Sequence, residues 1–563
     1  MALHFFNLTS TQKLIFKSQT MPFYRLLNTY AYFFTFAIVI LTNNLSYAQD
    51  SLKNLPEYRR PLTDKKLVIA HCMTNIIRFE GHELEDSCNP DYYSPTGNIS
   101  ASLGGLTQVK VMADSILSNA SLDETVEFEM RAAIRSGIDG FQFYYVLGAP
   151  DWDNIIKAYF RVADKKHIDF KFTFCISHPN GSTEGRKVAE FAKRINGVMD
   201  EVGHNNSHWL RTPDGRLIVY QWLGESLADI PADKKGLPDA FYIARAYKHL
   251  ANAVHENFAC VFTINEEISK QKLDSFLDYF PATWIWTLPY SDTEYIGNMV
   301  AAECKLRERT FTGSVFCDFY TSKLLRKGTW DMYHTVQGAV NAGTNNVERK
   351  YITTGLSYNF RKLCEFAIKQ DAPIMNIITW NDYPEGHHLA PEINHNDGFS
   401  ILLNYYKGLF TGKPGALAGK DVAIVFFKKY RHDVKPDPFN IPVVPFQKEV
   451  ITPSSEDSIE VITMLKSNAG LNVNGNNAAM PRGFSITRFP MQNGPVNITI
   501  TRNNETVIHL VTPEGITDKP YRSDRITYSF SSEFNNFYKN LYGGFKPIYS
   551  HEYNPGFPKD YKR

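Results

Sequence analysis

The stretch 373-PIMNIITWNDYPEGHH-388 changes abruptly from an apolar run to a cluster of acidic, amide, aromatic and imidazole side chains. The apolar part, residues 373–378, has the length and composition of a buried β-strand. In α/β barrels the residues that follow each strand form one face of the molecule, where ligands bind. The stretch therefore predicts a strand of a parallel sheet that ends at a functional site.

Seven further apolar runs precede this one, with longer amphipathic segments between them. The eight candidate strands are residues 67–73, 137–146, 170–178, 216–222, 258–264, 282–288, 313–319 and 373–380. Helical patterns lie between them at residues 124–136, 153–166, 185–199, 240–256, 294–309 and 358–369. This alternation predicts an α/β fold, and eight units predict a closed (β/α)8 TIM barrel. An open sheet is disfavoured, because 68-VIAHCMTN-75 lacks the Gly-rich turn expected after its first strand.

The composition changes after the predicted barrel, which favours a second domain in this chain of 563 residues. Residues 394–409 are expected to form a closing helix, and glycine and proline between residues 412 and 419 mark a boundary. Short alternating runs follow at residues 459–464, 496–501, 506–511 and 526–530, as in a β-sandwich. We predict a barrel at residues 49–413 and a β-sandwich-like domain at residues 414–563. All 7 tryptophans precede residue 381, so this second domain is expected to brace the barrel.

Residues 1–48 resemble an export signal, with Met21 as an alternative start. Arg25 supplies a positive flank, residues 30–41 an apolar segment, and residues 46–48 small side chains before a cleavage near Gln49. An uncleaved anchor is the alternative, but the apolar segment is shorter than the roughly 20 residues that a membrane crossing needs. We predict a secreted or periplasmic protein with no stable membrane span after processing.

Charge and cysteine content exclude several classes of function. Lys+Arg 60 and Asp+Glu 59 leave a net charge of +1, which gives no basic excess for binding nucleic acid. The 7 cysteines include no Cys-x-x-Cys pair, and their odd number leaves at least one thiol without an internal partner. Four of them lie in apolar runs where they can pack as small hydrophobic side chains: Cys72, Cys175, Cys260 and Cys317.

A metal site receives little support from the histidines near the decisive stretch. His387 and His388 are adjacent on a loop, which makes them poor joint ligands, and no carboxylate spacing completes a site with His395. We therefore predict no metal and no cofactor.

Polar and aromatic residues stand at or near the ends of the predicted strands, where a barrel binds its substrate. The candidates for substrate contact along the first seven strands are His71, Asp139, Tyr144, His178, Trp222, Glu225, Trp286 and Asp318. His71 can equally be a satisfied core histidine, and Asp139, at the entry to the second strand, can simply cap a turn. The segment 75–122 is expected to cover the same face.

Asp382 and Glu385 are the best candidates for catalysis. Cleavage of a glycosidic bond needs one carboxyl group protonated as the acid and another ionised as base or nucleophile. Two neighbouring carboxylates push their pKa values apart and so divide these roles without a cofactor. The alternative is that Asp382 caps a turn and Glu385 is a surface residue. Trp380 favours the catalytic interpretation, because an indole can pack against a sugar ring.

Residues 380–387 resemble the motif Trp-Asn-Asp-aromatic-Gly-Glu-Ser-His of glycoside hydrolase family 71, which follows the last barrel strand of these α-1,3-glucanases. Further likeness lies in 70-AH-71, 137-GIDGF-141 and 224-GE-225, so the resemblance runs from about residue 67 to residue 409. It implies a TIM barrel that inverts configuration, with Asp382 and Glu385 as its acidic pair. It also implies that these residues lie near a polysaccharide or oligosaccharide: His71, Asp139, Glu225, Trp380, Asn381, Tyr383 and His387.

Three positions depart from the family pattern, which makes the α-1,3-glucan substrate less certain than the reaction. Pro384 replaces the motif glycine, Gly386 replaces the serine, and Cys72 stands in place of an aromatic residue. Proline fixes φ near about −65° and can change how Glu385 is presented. Two alternatives remain open, namely a related barrel glycosidase for α-mannosides or another α-glycan, and a non-catalytic glycan-binding protein.

Overall fold

Short strands alternate with helices from residue 67 to residue 377 in the computed structural model of this protein. The structure describes residues 52–53, 58, 62–82, 117–234, 239–265, 267–321, 323–333, 336–392, 394–435, 441–446, 449–520 and 524–538. The first strands are β1 (Leu67–Cys72), β2 (Gly140–Tyr145), β3 (Lys171–Ser177), β4 (Leu217–Trp222), β5 (Phe258–Ile264) and β6 (Ala282–Ile285). They are followed by β7 (Thr310–Phe311), β8 (Gly313–Val315), β9 (Phe319–Tyr320), β10 (Leu325–Arg326), β11 (Val347–Ile352) and β12 (Ile374–Ile377).

Helices follow most of these strands, as in a barrel with helices around its outside. They are α1 (Leu122–Arg135), α2 (Trp152–Lys166), α3 (Glu184–Val202), α4 (Asp239–Val254), α5 (Lys270–Leu277), α6 (Gly297–Leu306), α7 (Val336–Ala342), α8 (Tyr358–Lys369) and α9 (Gly398–Thr411). Helix α1 begins with a capping box, in which Ser121 and Glu124 satisfy each other's backbone N–H groups. The sequence pattern placed six of these helices correctly and missed α5 and α7.

The parallel sheet closes on itself through a seventh strand that is broken at Thr312. Its hydrogen-bonded order is β7-β6-β5-β4-β3-β2-β1-β12-β8. The first half of the broken strand, β7, pairs with β6, and the second half, β8, pairs with β12. Between the halves, Thr312 N donates to Thr283 O at 3.0 Å, so the sheet is continuous across the break. The predicted (β/α)8 barrel is confirmed.

Alternate side chains of the strands face the helices and the barrel interior. On β2, Phe141 and Phe143 contact Tyr159 of α2, with ring centroids 5.8 Å and 5.2 Å apart. The residues between and beyond them, Gln142 and Tyr144, therefore face inward. Both faces of the sheet are buried, which is why the strands have nearly continuous apolar sequences.

An additional small sheet separates the seventh strand from the last. Strand β11 pairs with β10 and with β9, and it also pairs in parallel with β14 (Val443–Pro445). The predicted strand at residues 313–319 was too long, because its two ends, β8 and β9, belong to different sheets. The connection between β9 and β10 carries Lys323 towards the polar end of β12.

Two four-stranded antiparallel sheets form the β-rich part after α9. The remaining elements are β13 (Val422–Lys428), β15 (Ser458–Leu465), β16 (Ala469–Val473), β17 (Asn476–Met480), β18 (Gly483–Pro490), β19 (Gly494–Arg502), β20 (Glu505–Ile516), β21 (Thr527–Ser531) and α10 (Phe534–Tyr538). The sheet orders are β18-β15-β13-β21 and β17-β16-β19-β20. One buried cluster holds side chains of both sheets, including Val425, Val461, Val473 and Ile498. This is the predicted β-sandwich.

Several expectations concern the ends and limits of these parts. Helix α9 begins at Gly398, later than predicted, because residues 392–397 form a turn. Residues 56–563 form one unit, and the division at residue 413 stays a prediction. The predicted export signal lies outside the described residues. Cys72, Cys175, Cys260 and Cys317 are buried and unpaired. Within the described ranges, no helix is long and apolar enough to cross a membrane.

Candidate active site

The loop after β12 presents the two candidate carboxylates from a short 3-10 turn, Tyr383–Glu385. Thr379 holds the base of this loop, since its hydroxyl accepts from Asp382 N at 2.9 Å and its N–H donates to His387 O at 2.9 Å. Gly386 ends the turn with φ +68°, and a Cβ there would lie 3.1 Å from the backbone of Tyr320. Glycine therefore suits position 386, where the family motif has serine.

Lys323 and His387 hold the carboxylate of Glu385 from its two sides. Lys323 Nζ donates to Glu385 Oε1 at 2.7 Å, and His387 Nε2 lies 3.1 Å from Glu385 Oε2. His387 Nε2 also lies 3.7 Å from Asp382 Oδ2, so one imidazole lies between both acids. The side chains of Asp382 and Glu385 are 6% and 15% exposed. Two carboxyl groups thus share a mostly buried site with one ammonium group.

The environment separates the pKa values of the two acids. Burial and the charge of Glu385 raise the pKa of Asp382 to about 6. Burial alone would also raise the pKa of Glu385, but the Lys323 ammonium and the contact with His387 outweigh it and hold that pKa well below its usual range. At pH values just below 6 the pair therefore carries one proton, which resides on Asp382.

Oxygen and nitrogen atoms of Asp382, Glu385 and His387 lie within 4.8 Å of one another, which is close enough to consider a metal ion. The Lys323 ammonium in contact with Glu385 already neutralises one carboxylate at this point. A cation placed there would be repelled by it, so the arrangement suits proton transfer better than metal binding.

Aromatic rings from five strand ends form a wall beside the carboxylates. The ring of Trp286 lies 5.3 Å from His71, 5.0 Å from Trp222 and 5.8 Å from His387. His178 packs edge-on against Trp222 at 4.5 Å, and Tyr144 lies 6.1 Å from Trp222. His178 has φ +43°, a strained conformation that is common at ligand sites. The structure thus brings together six of the residues predicted for substrate contact.

Two nitrogen atoms of this wall have no partner among the described residues. Trp222 Nε1 and His387 Nδ1 are buried and make no hydrogen bond. Burial and nearby His387 lower the pKa of His71 to about 3, so His71 is neutral at ordinary pH. Buried donors without partners point to a ligand that supplies them, and a neutral ring surface suits a polyhydroxylated molecule.

Four predicted contacts lie away from this wall. Asp139 stands at the opposite, amino-terminal end of β2, where it accepts from Val68 N at 2.9 Å and pairs with Lys407. Trp380 is fully buried between sheet and helix, with its indole N–H donating to Glu129 of α1. Asn381 binds the backbone at Met73 and Ile76, and Asp318 pairs with Lys428 of the sandwich at 3.3 Å.

The last two candidates lie at the correct end of the barrel but in other surroundings. Tyr383 is buried and packs on His388, with ring centroids 4.8 Å apart. Glu225 is half-buried in the 3-10 turn Gly224–Leu227, directly after β4. Of the covering segment 75–122, only residues 75–82 and 117–122 are described.

Sequence reasoning missed Lys323. Its backbone N–H donates to Thr321 Oγ1 at 3.1 Å, which turns the chain back towards Glu385, 62 residues later in the sequence. A single lysine in a polar loop carries no periodic or motif signal, so nothing local could have identified it.

Comparisons with known proteins support a glycan hydrolase. Residues 358–530 match the sequence profile of Glycosyl hydrolase family 71. A GH99 endo-alpha-mannosidase from Bacteroides thetaiotaomicron has a TM-score of 0.41 and 11% identity, covering 62% of this chain and 98% of its own. A glycosyl hydrolase family 2 member from Bacteroides cellulosilyticus has a TM-score of 0.38 and 10% identity, covering 79% of this chain and 46% of its own.

The structural similarities do not bear on substrate, and no curated protein matches the chain. The profile match begins at α8, includes β12 with both carboxylates, and extends through the sandwich to residue 530. It therefore covers the C-terminal part that the motif likeness left out, whereas the likeness in β1, β2 and β4 lies outside it. Over residues 358–530, the resemblance of this chain to glycoside hydrolase family 71 is confirmed.

Proposed function

We propose that this protein is a secreted glycoside hydrolase that cleaves α-glucan at α-1,3-glucosidic bonds. The observation that carries the proposal is the pair Asp382 and Glu385, which Lys323 and His387 keep in opposite protonation states beside a wall of aromatic rings. Hydrolysis of a glycosidic bond needs one protonated and one ionised carboxyl group at the same bond.

Asp382 is the general acid in this proposal. Its raised pKa keeps a proton available near pH 6, and transfer of that proton to the glycosidic oxygen allows the leaving sugar to depart as an alcohol. Glu385 stays ionised and supplies the negative charge that activates water or stabilises the developing oxocarbenium ion. Lys323 is a positioning residue, because it fixes the orientation and charge of Glu385.

The expected inversion of configuration is not supported by the spacing of the pair. Inverting enzymes hold their carboxyl groups roughly 6.5 to 9.5 Å apart to admit a water molecule. Here the carboxylate oxygens approach within 4.8 Å. The anomer released first, followed by NMR during hydrolysis, decides the stereochemical course separately from the activity itself.

The choice of α-1,3-glucan rests on the motif at residues 380–387 and the profile match at residues 358–530. The ring wall suits any neutral glycan, so an α-mannoside or another α-glycan is the competing substrate. A binding protein without turnover would use the same wall but would have no need for the separated pKa values. Secretion is proposed from residues 1–48 alone.

The decisive experiment measures reducing sugar released from insoluble α-1,3-glucan, α-mannan and other α-glucans by the chain that starts at Gln49. Asp382→Asn and Glu385→Gln are each expected to lower the rate at least 100-fold, because each removes one of the two acid/base groups. Asp139→Asn is the matched control, since this carboxylate lies at the opposite end of the barrel. Full activity in both test variants would contradict the proposed roles. Release from α-mannan alone would keep the roles and replace the substrate.

A further inference from the structure

A second group of imidazole and carboxylate side chains lies next to the active-site loop, in the turn that leads to α9. Its members are His388, Glu392 and His395, whose side chains are 0%, 0% and 1% exposed. One donor atom from each lies within 4.8 Å of the other two. We call these three residues the His-Glu-His cluster. It is separate from the acid/base pair, because His387 turns towards Glu385 whereas His388 turns towards Glu392.

The hydrogen bonds of His395 fix which of its nitrogens is free to act as a ligand. Nδ1 lies 2.9 Å from the backbone carbonyl of His388, which can only accept, so Nδ1 carries the proton. The lone pair of a neutral ring then lies on Nε2. This atom lies 3.4 Å from Asp318 Oδ2, which is also an acceptor. Two acceptors at this distance need a cation or a proton between them.

His388 supplies an independent sign that the cluster lacks a partner. Both its ring nitrogens are buried without a hydrogen bond to any described residue, although Nε2 lies 3.4 Å from Glu392 Oε1. A fully buried imidazole with no partner is costly in a folded protein. The lone pair on Nε2 and the carboxylate of Glu392 would both be satisfied by one positive ion between them.

The charges around the cluster leave room for such an ion. Asp318 is neutralised by Lys428, whose Nζ lies 3.3 Å from Oδ1, the oxygen on the far side from His395. Glu392 is held by neutral groups, namely the N–H of Asn394 at 2.7 Å, the amide of Asn394 at 2.6 Å and the N–H of His395. Its buried negative charge is therefore oriented but not balanced by a lysine or arginine in these contacts.

We propose that His388, Glu392 and His395 bind one divalent transition-metal ion of the zinc class, with Asp318 Oδ2 as the fourth ligand. Two imidazoles and two carboxylates are a donor set that zinc accepts in tetrahedral geometry. The backbone carbonyl that receives His395 Nδ1–H is the usual outer partner of a metal-bound histidine. The prediction of no metal failed to consider this set, because Glu392 and Asp318 reach the histidines only in the folded chain.

The ion would have a structural role. Asp318 follows β8, whereas the His-Glu-His cluster follows the active-site loop, so the ion would cross-link two barrel connections. The same residues contact the sandwich, since Asp318 accepts from Thr527 N and the carbonyl of His395 accepts from Ser529 Oγ. Tyr383, in the turn that carries Glu385, packs on His388. Binding of the ion would therefore stabilise the active-site loop from behind.

The test measures metal binding on the full chain, independently of activity. The protein is stripped with EDTA, mixed with two equivalents of Zn²⁺, passed through gel filtration and analysed for zinc by mass spectrometry. We expect roughly one zinc per chain in the wild type and a loss of at least tenfold in His388→Gln. His509→Gln is the matched control, because His509 is an exposed histidine of β20 and is expected to keep the wild-type content.

Cobalt provides a second readout that does not depend on a variant folding. Co²⁺ loaded into the wild type is expected to give the visible absorption of a tetrahedral nitrogen and oxygen site and to raise the melting temperature. Zinc content near zero in the wild type after gel filtration would overturn the proposal, and His395 would then be an imidazolium paired with Asp318. Equal zinc in His388→Gln and the wild type would overturn it as well. Neither result would affect the assignment of Asp382 and Glu385.

Discussion

Replacing Lys323 with methionine is expected to move the whole pH profile of hydrolysis to higher pH. Methionine keeps the length of the side chain and removes the ammonium group that lies 2.7 Å from Glu385 Oε1. Glu385 acts in its ionised form, so activity on the acid side is lost as pH falls through its pKa. Asp382 acts in its protonated form, so activity on the alkaline side is lost as pH rises through its pKa of about 6. The ammonium lowers both pKa values, and its removal raises both.

The size of the shift follows from the distance and the burial of the pair. An opposite charge within about 4 to 6 Å lowers a carboxyl pKa by about 1 to 3 units. Lys323 and Glu385 side chains are only 28% and 15% exposed, so water screens little of this interaction. The acid limb is therefore expected to rise by about 1 to 3 pH units, and each unit is roughly a tenfold loss of rate at a fixed acidic pH. The alkaline limb rises less, because Lys323 contacts Glu385 directly.

The assay is kcat/KM across pH 3 to 9, which reports the pKa values of the free enzyme. Lys323→Arg is expected to keep the acid limb near its wild-type position, since it restores the positive charge. Lys327→Met is the matched control, because Lys327 is an exposed lysine four residues further along the same connection. A Lys323→Met profile that falls in height without moving along the pH axis would refute the electrostatic role of Lys323.

Three further substitutions test other contacts of the site. Trp222→Phe removes a buried N–H that has no protein partner, and loss of about 0.5–1.5 kcal/mol of hydrogen bonding to the glycan is expected to raise KM roughly twofold to tenfold. Gly386→Ala is expected to cost about 1–2 kcal/mol in urea denaturation for its positive φ and also to lower kcat, whereas Gly412→Ala, with the same φ in open space, keeps kcat. Trp380→Phe leaves the buried Glu129 without its donor, so stability is expected to fall by about 1–3 kcal/mol while KM stays unchanged. A raised KM in Trp380→Phe would return that residue to the sugar.

The barrel strands could be predicted because both of their faces are buried. β1, β5 and β12 have nearly continuous apolar sequences, and their predicted positions agree with the structure to within a few residues. The exit from the seventh strand could not be predicted, since the apolar run continues through Phe316 and Cys317, where the chain leaves the barrel sheet. Apolar composition records burial, but it does not record which sheet a residue joins.

The candidate site was predicted where position along a strand decides it, and missed where side-chain direction decides it. His71, Tyr144 and Trp286 meet because they stand at the carboxyl ends of inward-facing strand positions. Trp380 is two residues from Asp382 in sequence, yet its indole packs beside Phe141 on the helix side of the sheet. Adjacency in a loop gives no information about direction, so only the folded chain could separate these two residues.

The contacts between the last barrel connection and β21 limit how this enzyme can be divided or recombined. Ser531 donates from both its N–H and its hydroxyl to the buried carboxylate of Asp397, and Ser529 donates to the carbonyl of His395. A chain cut after residue 413 would lose these donors and leave the Asp397 carboxylate unsatisfied directly behind the active-site loop. The sandwich is therefore not an interchangeable cassette, and attempts to graft this barrel onto another accessory domain would have to carry β21 with it.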